Sequence, residues 1–119
     1  MRLYADLNGE SHFEEVAVDL TATEFDAGAP PVDLSVSAAA TQFAFMRAPA
    51  GWSSNWHPSG ARNLFFVLSG EWEVTASDGE TRRFCAGATL LVEDTIGKGH
   101  VSRVVSESES LAAVLQLPD

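Results

Sequence analysis

Histidine occurs at three positions in this chain, 12, 57 and 100, and two of the three sit among residues suited to proton chemistry. His57 is followed closely by Ser59, Arg62 and Asn63, and His100 closes the glycine-rich run Gly97-Lys98-Gly99-His100. An imidazole titrates near neutral pH, so two of them can serve as general acid and general base. Asn63 can hydrogen-bond a carbonyl or a developing oxyanion, and Arg62 can hold a carboxylate or enolate. His57, His100 and Asn63 are therefore the candidate catalytic residues, with Ser59 and Arg62 as candidate ligand contacts. The set suits isomerisation, dehydration, decarboxylation or cyclisation of a carbonyl or carboxylate compound.

Aromatic residues cluster around the same stretch. Trp56, Phe65, Trp72 and Phe45 are candidates for lining an apolar ligand cavity, and Trp52 and Phe43 share that pattern. For each of them ordinary core packing is the competing role. His12 lies apart and reads as a strand-surface histidine. Glu93-Asp94 reads as a charged turn and Arg82-Arg83 as part of a hairpin. Cys85 has no sequence neighbour that would make it a nucleophile, and reads as either buried or a bystander.

The elements that must position these residues are strands. Short Val, Phe, Leu and Thr segments are punctuated by Gly, Pro, Asn and Asp, and helix signals are scarce. The run at 38–40 is the best helix former and is too short to nucleate. Residues 12–20 read as a strand, Pro30-Pro31 as a loop, and 41–46 as a strand with Phe43 and Phe45 on one face. Trp72 and Val74 alternate with Glu71, Glu73 and Thr75, and Ser77-Asp78-Gly79 then turns the chain into a second strand at 81–84. Residues 87–92, 101–105 and 111–117 complete about eight strands. Strands without covering helices hide their edges by closing into a barrel or sandwich.

The chain, at 119 residues, is the length of one domain. Residues 1–50 hold 2 basic and 8 acidic side chains, and the remainder 5 and 9, giving the net charge of −10. An acidic chain without a Lys/Arg cluster repels phosphate backbones, which argues against nucleic acids and anionic membranes as partners. One cysteine cannot form an internal disulfide, the N-terminus carries no apolar secretory run, and no stretch approaches a membrane span. A cytoplasmic protein is the expectation.

From Gly51 the spacing is Gly51, five residues, His57, one residue, Ser59, three residues, Asn63, six residues, Gly70. This resembles the first signature of the cupin superfamily, G-x5-H-x-H-x3–4-E-x6-G. The second signature, G-x5-P-x-G-x2-H-x3-N, is matched more loosely. Gly87 fits its first position, Glu93 replaces the proline, His100 stands two residues late and the final Asn is absent. Residues 93–100 resemble a variant loop of small cupins, and the likeness covers roughly residues 43–117.

The resemblance implies a single all-β cupin-type double-stranded β-helix, a jelly-roll barrel over 1–119. Residues 1–40 would form N-terminal strands and loop, and 41–117 the barrel core. It implies that His57 and His100 approach each other inside the barrel, and that the family's dimerisation extends to a homodimer here. In metal-binding members these positions supply three histidines and a glutamate. Carried over, His57 and His100 remain as imidazole ligands for a divalent transition metal (Zn, Fe, Ni or Mn), while Ser59 and Asn63 replace the others. Asn63, water, or recruitment of Glu93 or Asp94 would complete such a shell, and a metal-free site is the alternative. The resulting expectation is a small-molecule enzyme of isomerase, lyase, cyclase or dioxygenase type. A non-catalytic metabolite-binding or sensor protein is the alternative, and a degenerate barrel serving assembly is a third.

Overall fold

The computed structural model describes residues 1–119. Its regular elements are all strands: β1 (Arg2–Ala5), β2 (Ser11–Glu14), β3 (Thr21–Thr23), β4 (Val32–Leu34), β5 (Gln42–Ala48), β6 (Asn63–Ser69), β7 (Glu71–Ala76), β8 (Thr81–Cys85), β9 (Thr89–Glu93), β10 (His100–Val104) and β11 (Ser110–Gln116). No helix forms, and none is therefore long and apolar enough to cross a membrane. Eleven strands stand where about eight were expected. β1, β3 and β4 are too short for alternation to reveal, and the expected strand at 12–20 ends at Glu14.

β7 has the clearest local cause. Trp72, Val74 and Ala76 are buried while Glu71, Glu73 and Thr75 lie nearer solvent, the period of two that a half-buried strand demands. The turn to β8 is a three-residue loop. The Gly79 N–H donates to the Ala76 carbonyl at 3.0 Å, and Asp78 Oδ1 accepts from the Glu80 N–H at 2.9 Å. Only Gly79 takes a positive φ, of 94°, so Asp78 contributes its side chain rather than a left-handed backbone.

The strands form two packed sheets. One runs β2-β1-β9-β6-β11-β5 and the other β10-β7-β8, with β3-β4 as a separate pair. Leu3, Val67 and Leu90 from the first sheet pack with Trp72, Val74, Phe84 and Val104 from the second. β1 pairs in parallel with β9, and Leu3 is fully buried. The boundary expected near residue 40 therefore does not separate core from periphery.

What does project is the segment 15–41. Its hairpin β3–β4 pairs with neither sheet, and Val18, Leu20, Phe25, Val32 and Val36 are exposed. The radius of gyration is 15.6 Å, against about 13.5 Å for a compact chain of this length.

Candidate functional site

Between the two sheets lies a cavity of about 190 Å³ that is partly open to solvent, with His57 and Trp52 exposed among its lining residues. Phe65, Leu90 and Val92 line it from one sheet, Trp72, Val74 and Phe84 from the other, and His57, Ser59, Asn63 and His100 supply polar groups. Trp72 organises the apolar wall. Its ring meets Trp52 and Phe65 edge-on at centroid distances of 5.6 and 5.5 Å, and its indole N–H donates to Ser110 Oγ at 2.7 Å.

Backbone pairing joins the two histidines. The His57 N–H donates to the His100 carbonyl at 3.1 Å and the His100 N–H donates back at 3.0 Å. This bridge, with Ser53 opposite Arg103, adds the segment after Gly51 to the β10 edge of the smaller sheet. The imidazole rings lie 4.9 Å apart, centroid to centroid. Gly99 permits the approach: a Cβ there would fall 2.1 Å from the His57 carbonyl oxygen, and its φ of +75° is one that L side chains avoid.

Each ring is held at Nδ1. His57 Nδ1 lies 2.7 Å from the Asn55 carbonyl oxygen, which can only accept, so Nδ1–H donates and, in the neutral ring, Nε2 is the nitrogen with the lone pair. His100 Nδ1 lies 2.6 Å from Asp94 Oδ2. Asp94 was expected in a charged turn. It is instead fully buried, and the same oxygen accepts a hydrogen bond from Ser11 Oγ at 3.0 Å. Sequence reasoning left Asp94 open as a recruit to the site and missed Ser11. The only available signal was an acid shortly before a glycine-rich loop, because Ser11 reaches the site through a sheet pairing that no local pattern reveals.

The structure brings His57, His100, Asn63, Ser59, Phe65 and Trp72 together around the cavity and leaves Arg62, Trp56 and Phe45 outside it. The cause is strand parity. Met46 and Asn63 face inward, so Phe45 and Arg62, one residue away, face outward, and Trp56 stands next to inward-facing His57 in the same way. Arg62 donates to Glu93 Oε2 at 2.7 Å and to the Pro118 carbonyl at 2.8 Å. Arg2 donates to the other Glu93 oxygen at 2.6 Å. Burial works to raise the Glu93 carboxyl, and the hydrogen bonds from the two arginines outweigh it, holding it below the usual carboxylate range. Cys85 is exposed rather than buried.

The donor set does not fit a closed divalent-metal site. Two imidazoles are present, no third His, Cys, Asp or Glu joins them, and Ser59 Oγ donates to the Ala61 carbonyl while accepting from Asn63 Nδ2.

Solved structures give this architecture its class. The chain is similar to an RmlC-like cupin family protein with a double-stranded β-helix fold from Methanocaldococcus jannaschii, with TM-score 0.57, 16 % identity, and 90 % of this chain and 87 % of that one covered. A cupin domain from Bordetella pertussis matches with TM-score 0.53 and 13 % identity over 89 % of this chain and 100 % of that one. A predicted oxalate decarboxylase from Thermotoga maritima matches with TM-score 0.52 and 20 % identity over 85 % and 94 %. No family model and no curated protein matches the sequence. The chain thus has the cupin fold, a single-domain double-stranded β-helix. At these identities the likeness extends to the fold alone.

Proposed function

We propose that the protein binds a small carbonyl compound in the barrel cavity and moves a proton on it, with His57 and His100 as the acid–base pair. The observation that carries this reading is the contact of two imidazoles, each tethered at Nδ1, on the wall of an otherwise apolar cavity. An isomerase, lyase or cyclase fits such a pair. The lining contains no Lys or Arg, so a dicarboxylate such as oxalate would have only the two imidazoles as potential cationic partners. A metabolite-binding or sensor role uses the same cavity without turnover. The single unpaired Cys85 suits a reducing compartment such as the cytoplasm.

A thermal-shift screen of small carbonyl metabolites tests the proposal, because a ligand that binds only the folded state raises Tm. The expected result is at least one stabilising compound whose effect disappears in His57→Ala and His100→Ala. A shift retained in both variants, or none from any compound, overturns the reading. A stabilising compound recovered unchanged after prolonged incubation assigns binding without catalysis.

Self-assembly is a second reading, favoured by one observation. A two-stranded hairpin is marginal in water by itself, yet β3–β4 pairs with neither sheet and four of its six strand residues are exposed. The outer face of the six-stranded sheet offers a complementary apolar surface, with Phe43 and Phe45 73 % and 75 % exposed beside Leu68 and Leu111. A homodimer in which each arm covers the other copy's sheet accounts for both. Sedimentation should give a dimer for the wild type and a monomer for Phe43→Asp/Phe45→Asp; a wild-type monomer removes this reading.

A further inference from the structure

Asp94 follows the last residue of β9 and has no access to solvent. Its Oδ2 takes both of its side-chain contacts, from Ser11 Oγ and His100 Nδ1, while its Oδ1 has no hydrogen-bond partner. A buried carboxylate is costly unless its charge is met, and here a single imidazole edge meets it. The surrounding backbone fixes that geometry. Gly97 touches the β1–β2 turn so closely that a Cβ there would fall 2.2 Å from the Gly9 carbonyl oxygen. The Lys98 N–H donates to that same oxygen at 2.8 Å. Ser11 is anchored in turn, its N–H donating to Ser77 Oγ at 2.7 Å.

We infer that Asp94 is a positioning residue that holds His100 in the Nδ1–H tautomer, making the cavity a receptor for proton donors. This rests on the proposed reading of the same cavity. Where Asp94 Oδ2 accepts, the proton between it and His100 belongs to Nδ1, and in the neutral ring Nε2 is then the nitrogen with the lone pair. His57 is set the same way by the Asn55 carbonyl. While both rings are neutral, two Nε2 acceptors beside an apolar wall favour a molecule with a weakly acidic O–H or N–H at one end, such as the enol form of the proposed carbonyl compound, a phenol or an azole. The ring that takes the proton becomes the acid that returns it. The cavity, at about 190 Å³, has room for about six waters' worth of ligand. When Nε2 takes the ligand's proton, the imidazolium faces the Asp94 carboxylate, and the ligand is left as its conjugate base beside Asn63.

Histidine-ring ¹⁵N NMR at pH 8 tests the inference without a substrate. In the wild type His100 should carry its proton on Nδ1. In Asp94→Asn, whose amide can donate to Nδ1, the proton should move to Nε2, while His57 keeps its pattern. A wild-type His100 protonated at Nε2, or a ring pattern unchanged in Asp94→Asn, overturns the inference, and the wild-type spectrum decides even if the variant fails to fold. Phenol and anisole serve as binding probes, differing in the O–H. The wild type should prefer phenol by about tenfold, the worth of one hydrogen bond, and Asp94→Asn should weaken that preference, with the His57 acceptor still in place. Equal binding of the two by the wild type overturns the ligand class. Failure of the metabolite screen with the Nδ1–H tautomer intact defeats the proposed function and leaves the positioning role standing.

Discussion

Two histidines in this protein are held by carboxylates, and they are held differently. His12 on β2 has Asp6 Oδ2 2.7 Å from Nε2 and Asp78 Oδ2 2.8 Å from Nδ1, so both ring nitrogens are occupied. His100 has Asp94 at Nδ1 alone, and its other nitrogen is left for the cavity. The first arrangement is a clamp: it ties the β1–β2 hairpin to the β7–β8 turn and has no valence left for a ligand. The second spends one nitrogen on orientation and keeps one for chemistry. A carboxylate beside a histidine is thus no mark of a site by itself; what separates the two is the free nitrogen and what it faces.

The contrast can be broken most severely at Asp94. Asp94→Ala leaves the His100 Nδ1–H and Ser11 Oγ without a buried acceptor and should cost about 2–3 kcal/mol in urea unfolding. A loss below about 0.5 kcal/mol, the scale of an ordinary surface substitution, would show that the pair is not structurally engaged. Asp94→Asn should be milder, since its amide can still bond the ring.

The clamp should respond to pH. The hydrogen bonds that His12 donates to Asp6 and then to Asp78 raise its pKa above the ordinary value, although partial burial opposes them. A raised folded-state pKa gives stability that is full below the unfolded value of about 6.5 and is lost as pH climbs through the folded one. His12→Gln should therefore lower Tm at pH 5.5 and converge with the wild type by pH 9. A Tm difference independent of pH would mean that the imidazolium does not hold the hairpin. Ligand binding at fixed pH should be unchanged by the same substitution, unlike His100→Ala.

The smallest effects are expected where the cavity is not touched. Arg62→Gln removes bonds to Glu93 and the Pro118 carbonyl on the outer face, and should lower stability slightly while sparing ligand affinity. A lost thermal shift in Arg62→Gln would return this arginine to the site. Dialysis against a chelator should leave both Tm and the ligand-induced shift unchanged, because the cavity lacks a third metal-ligating side chain. A fall in either would reveal donors outside the set described.

Much of the site follows from patterns that a sequence carries openly. Alternation placed Trp72 and Val74 on the buried face of β7 and Phe43 with Phe45 on one face of β5. It did not say which face of β5 turns inward, and the phenylalanines turn out. The sheet is apolar on both sides, so hydrophobicity could not choose between them. Arg62 and Trp56 were misplaced for a related reason. Nearness in sequence to His57 and Asn63 puts a neighbour on the opposite side of an extended chain, so proximity to a motif counts against sharing its cavity.

By itself the sequence determined what depends on neighbours along the chain: the strand period, the Asp78-Gly79 turn, the absence of helices and the spacing from Gly51 to Gly70. Tertiary structure alone decided which distant groups meet. His57 reached His100 through a backbone bridge, and Asp94 reached Ser11 across the β1–β9 side of the sheet. The reason is physical: local preference is written in a few consecutive dihedrals, whereas burying a carboxylate against an imidazole depends on how two sheets close. That closure also separated the clamped histidine from the one that faces a cavity.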